Sequence, residues 1–337
     1  MAPSNPGLEM PEELYDMVVV GGGPVGLYAG YRGALLGLRV QIIDRGRKWS
    51  RGFHVPMYHN LPTHFGGMSG KEVISQLRRN IAQHPDCITI DDFVVADDVR
   101  REDGIFLVEG THNPSGERRT YRGRTVALAT GVVDRQPIIG GEMKNIFPHA
   151  NRGLICYCEI CDGHLVYDKE MAVLGSGSMA LHLAEDLLYF RAKRVSILTN
   201  GGDLVGDCPD PVEGKRLLED LRERGVQVRT EQITSVFGAE EGFFGARLAS
   251  GVELRFDLAF SAMGIYRINN ELALKLGAKL DCDGYVEVDG DCRILDEAGK
   301  PITGAYAIGD LNYNWNQVMI GFGDADRAVV HAWADYL

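Results

Sequence analysis

The 337-residue chain has no apolar run near the ~18 residues that a membrane-spanning helix needs. Its first thirteen residues contain Pro, Asn and Glu, with neither a basic stretch nor an apolar one. They read as a short disordered lead and not as a signal peptide. Cysteine is sparse, seven residues in all, odd in number and widely scattered. That excludes the disulfide framework of a small secreted scaffold, and a reducing cytoplasm is the expected compartment. Positive charge is also short: 35 Lys and Arg stand against 47 Asp and Glu, a net charge of −12. No basic surface for nonspecific nucleic-acid binding is expected, and no membrane partner. What remains, 45% apolar and 24% charged residues, is a globular composition, at a length that favours two domains.

The first motif is a strand–turn–helix. An apolar strand, residues 16–20, runs into Gly21-Gly22-Gly23-Pro24-Val25-Gly26, and a helix follows over 27–36. The next strand, 39–43, ends in Asp44, which lies 23 residues after Gly21. Gly21, Gly23 and Gly26 let the backbone approach a pyrophosphate at the helix N-terminus, and Asp44 can accept hydrogen bonds from ribose hydroxyls. A tight turn without ligand would use the same glycines, but strand, helix and acid are here all in register. A helix over 70–82 and a small meander between 88 and 108 come next. A strand at 126–129 follows, closed by Thr130-Gly131. Residues 132–146, with Pro137 and Gly140-Gly141, read as a crossing between domains.

A second strand, 171–174, leads into Gly175-Ser176-Gly177-Ser178-Met179-Ala180, then a helix to Phe190 and a strand at 194–199. The fingerprint therefore occurs twice, as a crude internal repeat. A helix is expected over 213–224, and 262–270 reads as a crossing back. The chain closes with a strand at 304–309 ending in Asp310, and a terminal helix over 317–336. Between the fingerprints, close before the second, stands Cys158-Glu159-Ile160-Cys161-Asp162-Gly163. A dithiol reacts through its thiolates, and a flanking carboxyl can carry the protons. A dinucleotide site supplies a cofactor able to exchange electrons with that dithiol. A zinc site would need four ligands, and Cys208, Cys282 and Cys292 form no second CxxC, so no metal is expected. Cys156 reads as a small apolar residue on a strand, and His164 as a surface or satisfied histidine that can also tune the thiols.

These pieces, with Ala129-Thr130-Gly131 and Ile308-Gly309-Asp310, resemble the low-molecular-weight thioredoxin reductases over nearly the full length. The resemblance implies an α/β protein with two Rossmann-like nucleotide-binding domains of the glutathione-reductase type, the second inserted in the first. It implies an FAD-binding domain over 14–133 and 266–337. An inserted NAD(P)H-binding-like domain over 134–265 would carry the CxxC. The FAD contacts would come from Gly21, Gly23, Pro24, Gly26, Asp44, Ala129, Thr130, Gly131 and Gly309. Asp310 would hold the ribityl chain, and Asn316-Gln317-Val318 would open a helix aimed at the flavin. Cys161 would face the flavin, Cys158 would exchange with the protein substrate, and Asp162 would donate and accept the proton. Thioredoxin or a similar small dithiol protein is the implied partner, and a homodimer the implied assembly.

One stretch departs from that family. NADPH-using members carry His-Arg-Arg and a further Arg after the second-domain strand. This chain reads Thr199-Asn200-Gly201-Gly202-Asp203-Leu204-Val205, with no positive charge. Charge-assisted hydrogen bonds to a 2′-phosphate are worth roughly 1.5–3 kcal/mol each, so losing two or more costs on the order of 10²-fold to 10⁴-fold in affinity. No acid closes the strand at Thr199 or Asn200 to favour NADH. Leu181-His182-Leu183 also replaces acidic residues near the nicotinamide. The pattern resembles the pyridine-nucleotide-independent branch, which includes ferredoxin-linked flavin thioredoxin reductases and deeply rooted cyanobacterial thioredoxin reductases. A ferredoxin-type donor is one implication. Two other readings stay open: an oxygen-using dithiol oxidase related to gliotoxin biosynthesis, which usually carries His where Asp162 stands, and a noncatalytic FAD-binding redox sensor.

Overall fold

The computed structural model describes residues 14–312 and 315–336, the side chain of Tyr336 excepted. The expected N-terminal lead lies outside the described residues. The chain divides into two compact units. One comprises residues 1–54, 70–132 and 268–337, and the other 55–69 and 133–267.

The first unit is built on a sheet in which Ile88–Asp92, Val40–Asp44, Leu14–Val20, Glu117–Leu128 and Pro301–Ala307 run parallel in that order. Arg293–Leu295 adds an antiparallel edge. Val40–Asp44 is buried along its whole length, as expected for a strand covered on both faces. Parallel neighbours need a crossover, and helix Pro24–Leu35 supplies the one between Leu14–Val20 and Val40–Asp44. Its small residues set the packing distance. A Cβ on Gly33 would come within 2.7 Å of Val40, and one on Gly30 would strike Ile42. Strand Glu117–Leu128 is much longer than the expected 126–129. Its first half pairs with Ile105–His112 in an antiparallel meander, where the alternation of exposed and buried residues hides the strand among charged ones.

The second unit repeats the plan. Gln227–Arg229, Arg194–Leu198, Glu170–Leu174, Leu258–Ser261 and Ile155–Cys156 form an all-parallel sheet in that order. Helix Gly177–Tyr189 buries Ala180, Leu181, Ala184 and Leu187 in a core shared with Val173, Ile197 and Phe260. A three-stranded antiparallel ribbon, Ile233–Phe237, Phe244–Leu248 and Glu253–Phe256, covers a second apolar cluster. Helix Pro211–Glu223 begins two residues before the expected start. Pro211 occupies its first turn, and the Asp210 carboxylate accepts from the N–H of Val212 and Glu213. The strand expected to hold Cys156 is only two residues long, Ile155–Cys156. The segment Val55–Ser69 groups with this second unit, although its flanks belong to the first.

Candidate active site

In the first unit, Leu14–Val20 ends at a turn made of glycines because nothing larger fits. Gly21 has φ +119°, and a Cβ there would strike the Ala129 carbonyl oxygen. A Cβ on Gly26 would strike the carbonyl of Gly21. Glycine loop, helix start and Ala129 are thus stacked at backbone contact. Gly23 is the N-cap, with Pro24 at the first helical position, and a Cβ on it would lie 3.2 Å from the Ser50 hydroxyl. Asp44, 4% exposed, accepts from the N–H of Gly22 and Gly46 and from Arg78 Nη2 at 3.0 Å. Burial raises its pKa, while the Gly46 N–H and the Arg78 guanidinium pull it down.

The other expected cofactor residues adjoin this turn. Thr130 and Gly131 are locked to Asn269: Thr130 Oγ1 donates to its carbonyl at 2.7 Å, and the Asn269 N–H donates to the Gly131 carbonyl at 3.0 Å. Gly309, at φ +69°, lies against Val25, and Asp310 accepts from Arg51 Nη1 at 3.0 Å. Val318 opens the terminal helix, with Asn316 (φ +50°) and Gln317 just before it. Gly321 on that helix also packs against Val25. These residues fit FAD: a glycine turn at a helix N-terminus suits a phosphate, and Asp44 and Asp310 are hydrogen-bond acceptors held by Arg78 and Arg51. FAD, when bound, supplies reversible two-electron chemistry. Arg51 and Arg78 belong to this set and carried no motif in the sequence.

The dithiol lies in the second unit. Cys158 and Cys161 form a disulfide. Cys158 is the extended N-cap of the single turn Glu159–Asp162, whose Asp162 N–H returns to the Cys158 carbonyl at 3.1 Å. Gly163 lets this turn lie flat on the Phe190 ring, since a Cβ there would come within 2.6 Å of it. Ile160, between the cysteines, is exposed. Burial lifts the Asp162 pKa to about 6, opposed by the charge of His164 and by a hydrogen bond from the Cys156 thiol. Cys156 is indeed a small buried residue on a strand, but it also faces the acid. Burial first, then Asp162, drives its own pKa up. The ring of His164 meets that of His59 edge-on, 4.7 Å between centroids. Burial and the neighbouring His164 lower the pKa of His59. His59 was not foreseen, because its segment sits far away in sequence. Among the described residues no cluster of His, Cys, Asp and Glu is arranged to hold a metal.

The second fingerprint has different surroundings from the first. Gly175 (φ +149°) and Gly177 (φ +71°) keep the turn, and Ser176 is the N-cap of helix Gly177–Tyr189. Ser176 Oγ donates to Asp207 Oδ2 at 2.6 Å. A Cβ on Gly177 would lie 2.8 Å from the Asp207 carbonyl oxygen. Asp203 Oδ1 accepts from the N–H of Val205 and Gly206, closing a turn, while Leu204 and Cys208 are buried in the core. Beside this segment is an open cleft of about 380 Å³, whose lining includes Asp203, Arg222 and Thr230. The turn is engaged by an acid, and the stretch 199–210 carries Asp203, Asp207 and Asp210 with no Lys or Arg.

Two Rossmann-like units, one with a glycine-rich strand–turn–helix and one with a CxxC disulfide, define a flavin-linked disulfide oxidoreductase. The chain belongs to the pyridine nucleotide-disulphide oxidoreductase family, whose model matches residues 15–328. It is 29% identical over 333 residues to a thioredoxin reductase of Ureaplasma parvum, covering 96% of this chain and 97% of that protein. It is 24% identical over 317 residues to a thioredoxin reductase of Aquifex aeolicus, covering 91% and 88%. The structure of the thioredoxin reductase of Streptococcus pyogenes superimposes with a TM-score of 0.75 at 20% identity, covering 96% of this chain and all of that one. The protein is thus an FAD flavoprotein of the disulfide oxidoreductase class.

Proposed function

We propose that this protein exchanges disulfides with thioredoxin or a similar small dithiol protein, and that NADPH is not its efficient electron donor. The observation that carries the exchange is the Cys158–Cys161 disulfide with half-buried Asp162 behind it. In the reduced enzyme the Cys158 thiolate attacks the partner's disulfide, forming a mixed disulfide and expelling one partner thiolate. Asp162 delivers the proton that this leaving sulfur needs. The Cys161 thiolate then displaces the second partner sulfur, restoring Cys158–Cys161 and releasing the partner as a dithiol. FAD, held by the glycine turn, Asp44 and Asp310, is the redox partner of Cys161. The donor reading is supported by the missing basic cluster after Leu198 and by the engaged second fingerprint. By family resemblance the donor is a protein of the ferredoxin type, delivering electrons one at a time. A cytoplasmic homodimer completes the proposal, by family resemblance. Among the described residues no helix is long and apolar enough to cross a membrane.

The test is anaerobic rapid mixing of FAD-loaded enzyme with NADPH, NADH and reduced ferredoxin, read by flavin absorbance. The expected result is slow or absent bleaching by millimolar NADPH and fast bleaching by reduced ferredoxin. Catalytic bleaching by micromolar NADPH would overturn the donor reading. Rapid oxygen consumption driven by a small dithiol, with no thioredoxin adduct at Cys158, would replace the reductase by an oxidase.

A further inference from the structure

The two fingerprints of this chain share a spacing but differ in their surroundings. In such a turn the second glycine exists so that a pyrophosphate can reach the backbone. At Gly23, in the first unit, a Cβ would meet one atom of the described, non-adjacent residues within 4 Å, the Ser50 hydroxyl. At Gly177, the equivalent position, it would meet the backbone of Asp207: the carbonyl oxygen at 2.8 Å, with the carbonyl carbon and Cβ both at 3.2 Å. Gly177 has φ +71° where Gly23 has φ −72°, so the two turns differ in backbone, and Asp207 lies directly against the second one. The Asp207 carboxylate adds the matching charge, since it accepts from the hydroxyl of Ser176, the N-cap of the helix.

The segment is held there from both sides. Leu204 and Cys208, which bracket Asp207, are 5% and 6% exposed within the core of the second unit. Asp203 ties the turn before Asp207 through two backbone N–H groups, and Asp210 caps helix Pro211–Glu223 after it. Gly202 fits directly over Ser176, where a Cβ would lie 2.7 Å from its hydroxyl. We infer that the Asp207 carboxylate, bonded to the hydroxyl of the N-cap Ser176, occupies the pyrophosphate seat of the second fingerprint, so that the second unit is closed to dinucleotides by that side chain. Asp207 is then the residue that sets donor specificity, by excluding the whole class of adenine dinucleotides and not only the 2′-phosphate. This rests on the reading that NADPH is not the efficient donor, and supplies a structural cause for it beyond missing cations.

The experiment titrates FAD-loaded protein with ADP-ribose, NADH and NADPH by calorimetry. Wild type is compared with Asp207→Asn, which keeps the shape and removes the charge, and with Asp207→Gly, which removes the side chain. Wild type is expected to show no saturable binding at millimolar ligand. Asp207→Gly is expected to gain ADP-ribose binding by at least ~10-fold, with Asp207→Asn in between. ADP-ribose carries the pyrophosphate without a 2′-phosphate, so its gain does not depend on the absent arginines. Should Asp207→Gly fail to fold, the Asp207→Asn arm decides. Micromolar NADPH binding by wild type would overturn both this inference and the donor reading. Silence in wild type and in both variants would overturn the Asp207 seat alone, leaving the donor reading on the missing cations.

Discussion

Arg51 Nη1 lies 3.0 Å from Asp310 Oδ2 and joins two residues 259 positions apart. Both are partly shielded, at 23% and 24% side-chain exposure. The guanidinium fixes the carboxylate that the family resemblance assigns to the ribityl chain. Hydrogen bonds to charged groups contribute roughly 1.5–3 kcal/mol, so Asp310→Ala should weaken FAD retention about 10-fold to 100-fold. Arg51→Ala should produce a smaller loss in the same direction. Flavin fluorescence in the filtrate after repeated dilution measures both. Unchanged retention in both variants would remove Asp310 from the cofactor seat.

Cys158→Ser and Cys161→Ser should each bring thioredoxin exchange to background while leaving FAD bound. They should differ in one product. Cys161→Ser lacks the resolving thiol, so a mixed disulfide with thioredoxin should accumulate on Cys158 and be visible by mass. Thiol titration of the oxidised wild type under denaturation should leave two of the seven cysteines unreactive until a reductant is added. Turnover surviving in both variants would refute the assignment.

Asp162 gives a pH prediction with a definite sign. Its folded pKa, about 6, stands above the ordinary 3.8 because burial penalises the charged form. The associated stability is fully present below about pH 4 and is lost as pH rises through about 6, by at most about 3 kcal/mol. Asp162→Asn removes the charge, so it should melt higher than wild type at pH 8 and equal to it near pH 4. Thioredoxin exchange should fall in the same variant, and the inflection near pH 6 in its rate profile should vanish. The groups around the acid are Cys156 and His164, with His59 behind the latter. Equal melting at pH 8 together with undiminished turnover would sink the acid–base role.

Gly163 offers a packing test. Gly163→Ala places a methyl within 2.6 Å of the Phe190 ring, an overpacking that costs about 1–3 kcal/mol. Phe190→Leu should relieve part of it, so the double variant should be more stable than the sum of the singles. Additive losses by thermal denaturation would mean the turn does not rest on Phe190.

What the sequence made legible is local. Gly21 to Gly26, Gly175 to Ala180 and Cys158 to Gly163 are contiguous, and strand–helix alternation around them was enough to specify an α/β protein with two nucleotide-type units. Contacts made by folding were not legible. Arg78 reaches Asp44 across 34 positions, from a helix with no motif of its own. His59 comes to His164 from a segment that sequence order would assign to the first unit. The two-residue strand Ile155–Cys156 is too short to leave a period, so the thiol that faces Asp162 read as filler. The stretch 199–205 stood out by its lack of positive charge, but nothing in it pointed to Asp207, the acid that meets Ser176.

The bond between Ser176 and Asp207 also bears on how the fold responds to its surroundings. A unit that binds a free anion is stabilised by mass action, and its melting temperature rises with the concentration of that anion. A carboxylate on the same chain has a fixed effective concentration set by the tether. Leu204 and Cys208 shorten that tether on either side. The second unit therefore carries its own counter-ion, and its melting should be the same in a starved cell extract and in one rich in nucleotides.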